Sequence, residues 1–145
     1  MDKHKFKKLL TKILFEYGFT HKNKAYYFIS KELITVIAIQ KSDYSDVYYI
    51  NYSFLLKELH PELKFPKDYE SDCFGRFILN CNGNNYFNIN IGEFTAENFE
   101  IAVRNFMEKT ICPVITKGLL EYFRLYPAAI STLTLKAKQY LNIEQ

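Results

Sequence analysis

The first amphipathic stretch of the chain lies at its start. Six apolar residues recur there at the spacing of one helix face: Phe6, Leu9, Leu10, Ile13, Leu14 and Tyr17. Gly18 follows the last of them, at the position where helices commonly end. The pattern predicts an N-terminal helix that packs on a core through this stripe and exposes its other side.

Three runs rich in β-branched and aromatic residues come next, at residues 25–29, 33–41 and 47–55. They predict three strands joined by polar turns. If Lys41 and Asp46 close the turn between the last two runs, one face carries Leu33, Ile37, Ile39, Tyr48, Ile50, Tyr52 and Phe54. The other face carries Ile34, Val36, Ala38, Val47 and Tyr49. Both faces are apolar, which predicts a sheet that is covered, at least in part, on both sides.

Asn82-Gly83 is the strongest local turn signal in the sequence. It is typical of a two-residue type I′ hairpin, in which both central residues have positive φ. Pairing outward from this turn gives the pairs Leu79–Tyr86, Phe77–Asn88, Arg76–Ile89 and Phe74–Ile91. This pairing places Arg76 on an apolar face, so we expect it to lie at the sheet edge or to meet a carboxylate.

The remaining third of the chain reads as helices. Thr95 is a helix cap, and Phe94 and Phe99 around it form a hydrophobic staple. Pro113 is suited to the first turn of a second helix, which Pro127 ends. A short amphipathic tail follows at residues 132–141. The chain is therefore predicted to form a single α+β domain over residues 1–145: an N-terminal helix, an antiparallel sheet of about five strands and C-terminal helices packed on the sheet.

The formal net charge of +3 arises near the N-terminus, where residues 1–24 contain seven lysines against Asp2 and Glu16. A nucleic-acid interface is usually rich in arginine, and this chain has only Arg76, Arg104 and Arg124. We therefore interpret the lysines as the solvated face of the first helix. A nucleic acid is not favoured as a partner.

No motif in the chain demands a reaction. Cys73, Cys81 and Cys112 are odd in number and include no C-x-x-C, so neither a zinc site nor a disulfide framework is predicted. The histidines have no metal-ligand spacing, and nothing brings His60 and Cys73 together as a nucleophile pair. We predict no cofactor and no enzymatic activity, although His21 or His60 as a general base stays open as a minor alternative.

Membrane and export signals are likewise missing from the pattern. No apolar run approaches the length of a membrane span, and the lysine-rich start leads into an amphipathic helix instead of an apolar signal segment. These features predict a cytoplasmic protein without a membrane partner. The oligomeric state has no signature in the sequence.

Residues 57–72 interrupt the periodicity and contain Pro61 and Pro66. Connections of this length are uncommon in small domains and often carry function. The segment combines five acids with two rings that suit interface anchors, and its predicted partner-binding residues are Glu58, Glu62, Phe65, Asp68, Tyr69, Glu70 and Asp72. The alternative is a solvated linker with a helical turn near residues 55–59. In that case, the partner surface belongs on the sheet, around Tyr44, Tyr49 and Asn51.

Several short motifs along the chain form a family pattern. They are Gly18-Phe19, Tyr26-Tyr27-Phe28, Gln40-Lys41-Ser42, Ile50-Asn51, Cys73-Phe74-Gly75-Arg76, Tyr86-Phe87 and Pro113. Together they resemble the bacterial family known as domain of unknown function 4304. Tyr86-Phe87 stands where that family is expected to have Trp-Trp.

The resemblance implies a small cytoplasmic bacterial domain. Orphan α+β domains of this kind often accompany polymorphic or contact-dependent growth inhibition toxins as immunity proteins, an argument by analogy. The leading hypothesis is therefore a non-enzymatic protein-binding domain that neutralises a cognate toxin domain, with the acidic segment at residues 57–72 directed toward an electropositive partner. The alternative is a small-ligand-binding domain or an enzyme with a pocket between the sheet and its helices.

Overall fold

Helix α1 spans Lys3–Glu16 in the computed structural model, which describes residues 1–143. Asp2 caps the helix, because its carboxylate accepts a hydrogen bond from the Lys5 N–H at 2.8 Å. The apolar stripe faces the core, and Phe6, Leu10, Ile13 and Leu14 are buried. Gly18 follows with a φ of +89°, a conformation that glycine adopts without strain. The predicted helix and its buried face are confirmed.

Four consecutive antiparallel strands form a meander: β1 (Thr20–Lys22), β2 (Ala25–Ile29), β3 (Leu33–Lys41) and β4 (Val47–Leu56). The prediction missed β1, because its three exposed polar residues show no alternation. Lys41 pairs with Tyr48 instead of Asp46. Because a shift by an even number of residues preserves the side-chain alternation, every residue of β3 and β4 keeps its predicted face.

Strand β4 pairs with two short strands along its second edge, β5 (Cys73–Arg76) and β8 (Ile89–Asn90). The chain between them forms a separate hairpin of β6 (Leu79–Cys81) and β7 (Asn84–Tyr86). Asn82 and Gly83 at its tip have φ of +52° and +80°, as the predicted turn requires. The predicted pairing of Leu79 with Tyr86 is also confirmed.

The longer hairpin predicted from this turn is wrong. Phe74 lies opposite Ser53, and Arg76 lies opposite Asn51, so neither residue pairs with the strand after the turn. The hairpin ends after three pairs, because the chain on each side of it pairs with β4 instead. The preceding strand β5 and the following strand β8 both do so. Arg76 is thereby placed on an edge strand, which is one of the two positions expected for it.

The C-terminal part is helical, with α2 (Ala96–Phe106), α3 (Cys112–Lys117), α4 (Leu119–Leu125) and α5 (Leu135–Tyr140). Thr95 caps α2 as predicted, and the Phe94 and Phe99 rings of the staple lie 6.3 Å apart. The predicted second helix is divided by Gly118, whose φ is +96°. Glu32 restarts the helix, because its carboxylate accepts a hydrogen bond from the Leu119 N–H at 2.9 Å.

The two faces of the sheet are covered differently. The inner face, which carries Ile37, Ile50 and Phe54, packs with the helices into the main core. The outer face carries a smaller apolar cluster, here called the satellite core, formed by Tyr27, Ile34, Val36 and Leu55. The predicted α+β fold is confirmed: in chain order it has an N-terminal helix, an antiparallel sheet and C-terminal helices packed on the sheet.

The substitution Ile37→Ala tests these strand faces. Ile37 is fully buried on the inner face, so its truncation should lower the free energy of unfolding by about 2–4 kcal/mol. Ile29→Ala is a matched control, since Ile29 is 55% exposed on the neighbouring strand, and its loss should be under about 1 kcal/mol. Urea denaturation measures both values. Equal small losses would show that the faces are wrongly assigned.

Candidate functional site

Residues 57–72 lie across one half of the outer face, and we call them the covering segment. The Tyr27 hydroxyl donates a hydrogen bond to the Pro66 carbonyl at 3.1 Å, and Leu63 packs against the satellite core. The segment contains two short 3₁₀ turns, Lys57–Leu59 near its start and Asp68–Glu70 near its end. The covering segment therefore buries apolar surface of the sheet, which neither the partner-binding interpretation nor the solvated-linker alternative anticipated.

Phe65 attaches the covering segment to the first two strands. Its ring meets the Tyr27 ring edge-on, with centroids 5.3 Å apart, and the Lys22 ammonium lies 3.8 Å from the Phe65 centroid. The side chain remains 41% exposed. Phe65, predicted as an interface anchor, thus has a role within the fold and offers a partner only part of its ring.

Asp72, which the sequence analysis assigned to partner binding, is not an exposed loop carboxylate. It is only 4% exposed. One carboxylate oxygen accepts a hydrogen bond from the Leu56 N–H at 2.8 Å, and the other lies 3.0 Å from Nε2 of His60. Asp72 is buried because it satisfies a backbone group at the end of β4 and ties both ends of the covering segment together.

The other predicted acidic residues differ in their exposure and in the hydrogen bonds of their carboxylates. Glu58 accepts a hydrogen bond from the Tyr140 hydroxyl at 2.9 Å, and Glu70 accepts one from the Lys67 N–H at 2.9 Å. Glu62 and Asp68 are exposed, and the Asp68 carboxylate accepts a hydrogen bond from the adjacent Tyr69 N–H at 2.9 Å. Three lysines also lie in the covering segment, so its surface is less acidic than the five carboxylates alone indicate. The carboxylates best placed to reach a partner are Glu62 and Asp68.

Beyond the covering segment the outer face is open, and Arg76 lies on it at the edge strand β5. The guanidinium carbon is 4.2 Å from the Tyr49 ring centroid. Its Nε donates to the Asn51 side-chain oxygen at 3.2 Å, and Gln40 accepts from Arg76 and from Asn51. Among residues 1–143 no carboxylate forms an ion pair with Arg76. The side chain is therefore held in place with its charge available to a ligand.

A groove of about 540 Å³ runs between the covering segment and β5, and we call it the aromatic groove. It is lined by Asn51, Tyr52, Asp68, Tyr69, Phe74, Gly75 and Arg76. Tyr69 is 76% exposed and Phe74 is 66% exposed, so two rings stand beside the fixed guanidinium. Of the predicted partner-binding residues, the structure places Asp68 and Tyr69 in this groove. Tyr49 and Asn51, from the alternative surface, belong to the adjoining Arg76 network.

Sequence reasoning did not predict Phe74 as a surface residue, and it assigned both Phe74 and Arg76 to the hairpin. A usable signal was present in the alternation of this strand. Cys73 is buried, Phe74 exposed, Gly75 intermediate and Arg76 exposed. A period of two with the large groups outward indicates a strand that covers a core on one side only.

The thiol of Cys73 is not an activated nucleophile. It lies in the main core, and burial, with a smaller contribution from the charge of Asp72, raises the pKa of Cys73 to about 12. The thiol is therefore protonated at neutral pH. The His60 ring is directed to Asp72 by its hydrogen bond. The structure thus accounts for both side chains as parts of the fold.

Within residues 1–143, no three His, Cys, Asp or Glu side chains are grouped so as to hold a metal ion. In the same part of the chain, no helix has both the length and the apolar character needed to cross a membrane.

Comparison with protein families gives a match over most of the chain. The family model described as Domain of unknown function (DUF4304) matches residues 10–117. No curated protein and no solved structure matches the chain. The matched region contains the covering segment and every residue that lines the aromatic groove.

Proposed function

The chain belongs to the family described as Domain of unknown function (DUF4304), and we propose that it is a non-enzymatic protein-binding domain whose partner docks at the aromatic groove. The form of this function that we favour is an immunity protein that neutralises a cognate bacterial toxin in the cytoplasm. The observation that carries the proposal is the Arg76 guanidinium, which has no ion-pair partner among residues 1–143 and lies in a groove that the exposed rings of Tyr69 and Phe74 also line.

Residue types and geometry at the groove both support binding to a protein. Arginine and aromatic residues dominate the binding energy of most protein interfaces. Arg76 is already held by Tyr49, Asn51 and Gln40, so little side-chain entropy is lost when a partner binds. The complementary surface should present a carboxylate to Arg76, a basic group to Asp68 and apolar groups to the two rings.

The immunity role rests on the kind of domain this is, and genetic context tests it. The probe is the product of the adjacent reading frame, expressed in a bacterial host with and without this protein. We expect the neighbour alone to arrest growth, and co-expression to restore growth through a stoichiometric complex. A harmless neighbour, or an arrest that this protein does not relieve, would contradict the immunity role.

Side-chain truncation then locates the interface in that complex. Arg76→Ala and Phe74→Ala should each raise the Kd by about tenfold or more, since each removes an interface anchor. Phe15→Ala is the matched control, because Phe15 is 51% exposed on helix α1 and does not line the groove. Calorimetry or surface plasmon resonance measures the Kd values. A complex that tolerates both groove variants as well as the control would exclude this docking site.

The charges of the covering segment allow a second matched pair. Asp68 lines the aromatic groove, whereas Glu62 is exposed on the same segment outside it. Asp68→Lys should slow association by about tenfold at low salt, and Glu62→Lys should change it little. Equal effects would assign the interface to the whole acidic segment, as the sequence predicted, instead of to the groove.

A further inference from the structure

A second groove, of about 500 Å³, lies between α1 and the first three strands. Five lysines line it: Lys3, Lys7, Lys8, Lys24 and Lys41. Three of them come from α1, one from the turn between β1 and β2, and one from the end of β3. We call this the lysine groove. Elements that are distant in the sequence therefore place lysines around one groove, which a solvated helix face does not explain.

The lysine groove is positively charged. Among residues 1–143, no carboxylate lines it. Within residues 1–143, none of its five lysines forms an ion pair with a carboxylate. Like charges held close together repel one another and attract anions from solution. A bound polyanion would relieve this repulsion, so the site favours a ligand with several negative charges.

One wall of the groove offers a flat ring. The imidazole of His21 stacks on the phenol ring of Tyr26, with centroids 4.5 Å apart and an angle of 20° between the planes. The Tyr26 hydroxyl is hydrogen-bonded to the Thr11 hydroxyl of α1, so the Tyr26 ring beneath His21 is held in place. His21 itself is exposed. Nucleic-acid bases stack on such aromatic platforms.

We propose that the lysine groove binds the phosphate groups of a nucleotide, free or as part of a single-stranded nucleic acid, with the base stacked on His21. Its volume lies within the range of small-molecule sites. The proposal is independent of the partner at the aromatic groove. Lys24 and Lys41 lie within the region matched by the family model, whereas Lys3, Lys7 and Lys8 precede it.

The experiment measures fluorescence anisotropy of a short labelled single-stranded RNA at low salt, with ATP and inorganic tripolyphosphate as competitors. The groove variant Lys24→Gln/Lys41→Gln leaves α1 untouched. It should weaken RNA binding by about tenfold and make it less sensitive to salt. Lys31→Gln/Lys109→Gln is the matched control, since it removes the same charge from exposed lysines outside the groove. The control should bind RNA as the unaltered protein does.

His21→Ala separates base recognition from charge. The substitution should weaken the binding of RNA and of ATP by about fivefold or more, because the stacking contact is lost. The binding of tripolyphosphate should be unchanged. If ATP displaces the labelled RNA, the ligand is a free nucleotide. If only unlabelled RNA displaces it, the ligand is the nucleic acid. No binding at low salt, equal losses in groove and control variants, or equal competition by polyglutamate would each overturn the proposal. Tripolyphosphate that binds as tightly as ATP would also overturn it.

Discussion

Gly75→Ala should lower the free energy of unfolding by about 4 kcal/mol, more than most single substitutions do. A Cβ at this position would lie 2.5 Å from Cζ of Tyr52, closer still to the Tyr52 hydroxyl, and 3.1 Å from the Tyr122 hydroxyl. The two tyrosines are buried and hydrogen-bonded to each other at 2.8 Å. Neither ring can move aside without breaking that bond, so the clash would displace β5.

Urea denaturation measures this loss, and two further variants establish its cause. Gly92→Ala is the control, because the nearest atom to its added Cβ is 3.4 Å away, and its loss should be under about 1 kcal/mol. Tyr52→Leu removes both nearest atoms, so Gly75→Ala should cost at least about 2 kcal/mol less in that background. Equal costs in both backgrounds would show that the tyrosine does not approach Gly75.

Asp72→Ala should also destabilise the fold by about 4 kcal/mol, as expected when a buried and hydrogen-bonded carboxylate is lost. The substitution leaves the Leu56 N–H without its acceptor and His60 without its partner. His60→Ala should cost less, since it leaves the backbone bond intact. Thermal and urea unfolding, compared with the unaltered protein, give the values.

Asp68→Ala is the matched control, an aspartate of the same segment that is exposed. Its loss should be below about 0.5 kcal/mol. Asp72→Asn should recover part of the loss, because an amide oxygen still accepts from Leu56. If the loss in Asp72→Ala were as small as in the control, the carboxylate would not support β4. A charge reversal that includes Asp72 would therefore report on folding as much as on binding.

The local part of the fold could be predicted from the sequence. Alternation fixed the faces of β3 and β4 even though the turn closes at a different residue, because only an odd shift exchanges faces. Capping chemistry located the start of α2 at Thr95, and Asn82-Gly83 located the hairpin tip. Each of these signals acts over a few residues, so the chain contains it in full.

The candidate site could be predicted only in part, because it depends on contacts between distant residues. The loop composition pointed to Asp68 and Tyr69, which do line the aromatic groove. It could not show that Asp72 turns inward, since that depends on where β4 ends. Phe74 and Arg76 were misplaced because turn chemistry favours a longer hairpin, whereas pairing with β4 competes successfully for β5.

The covering segment affects how the protein opens locally and aggregates. Leu63 of this segment packs on the satellite core, so displacement of the segment would uncover that core while the strand pairs remain intact. Such a local opening requires less free energy than global unfolding. It would expose an apolar strip on an otherwise native sheet, a surface that favours self-association. Aggregation by this route therefore begins at residues 57–72, before any helix or strand has melted.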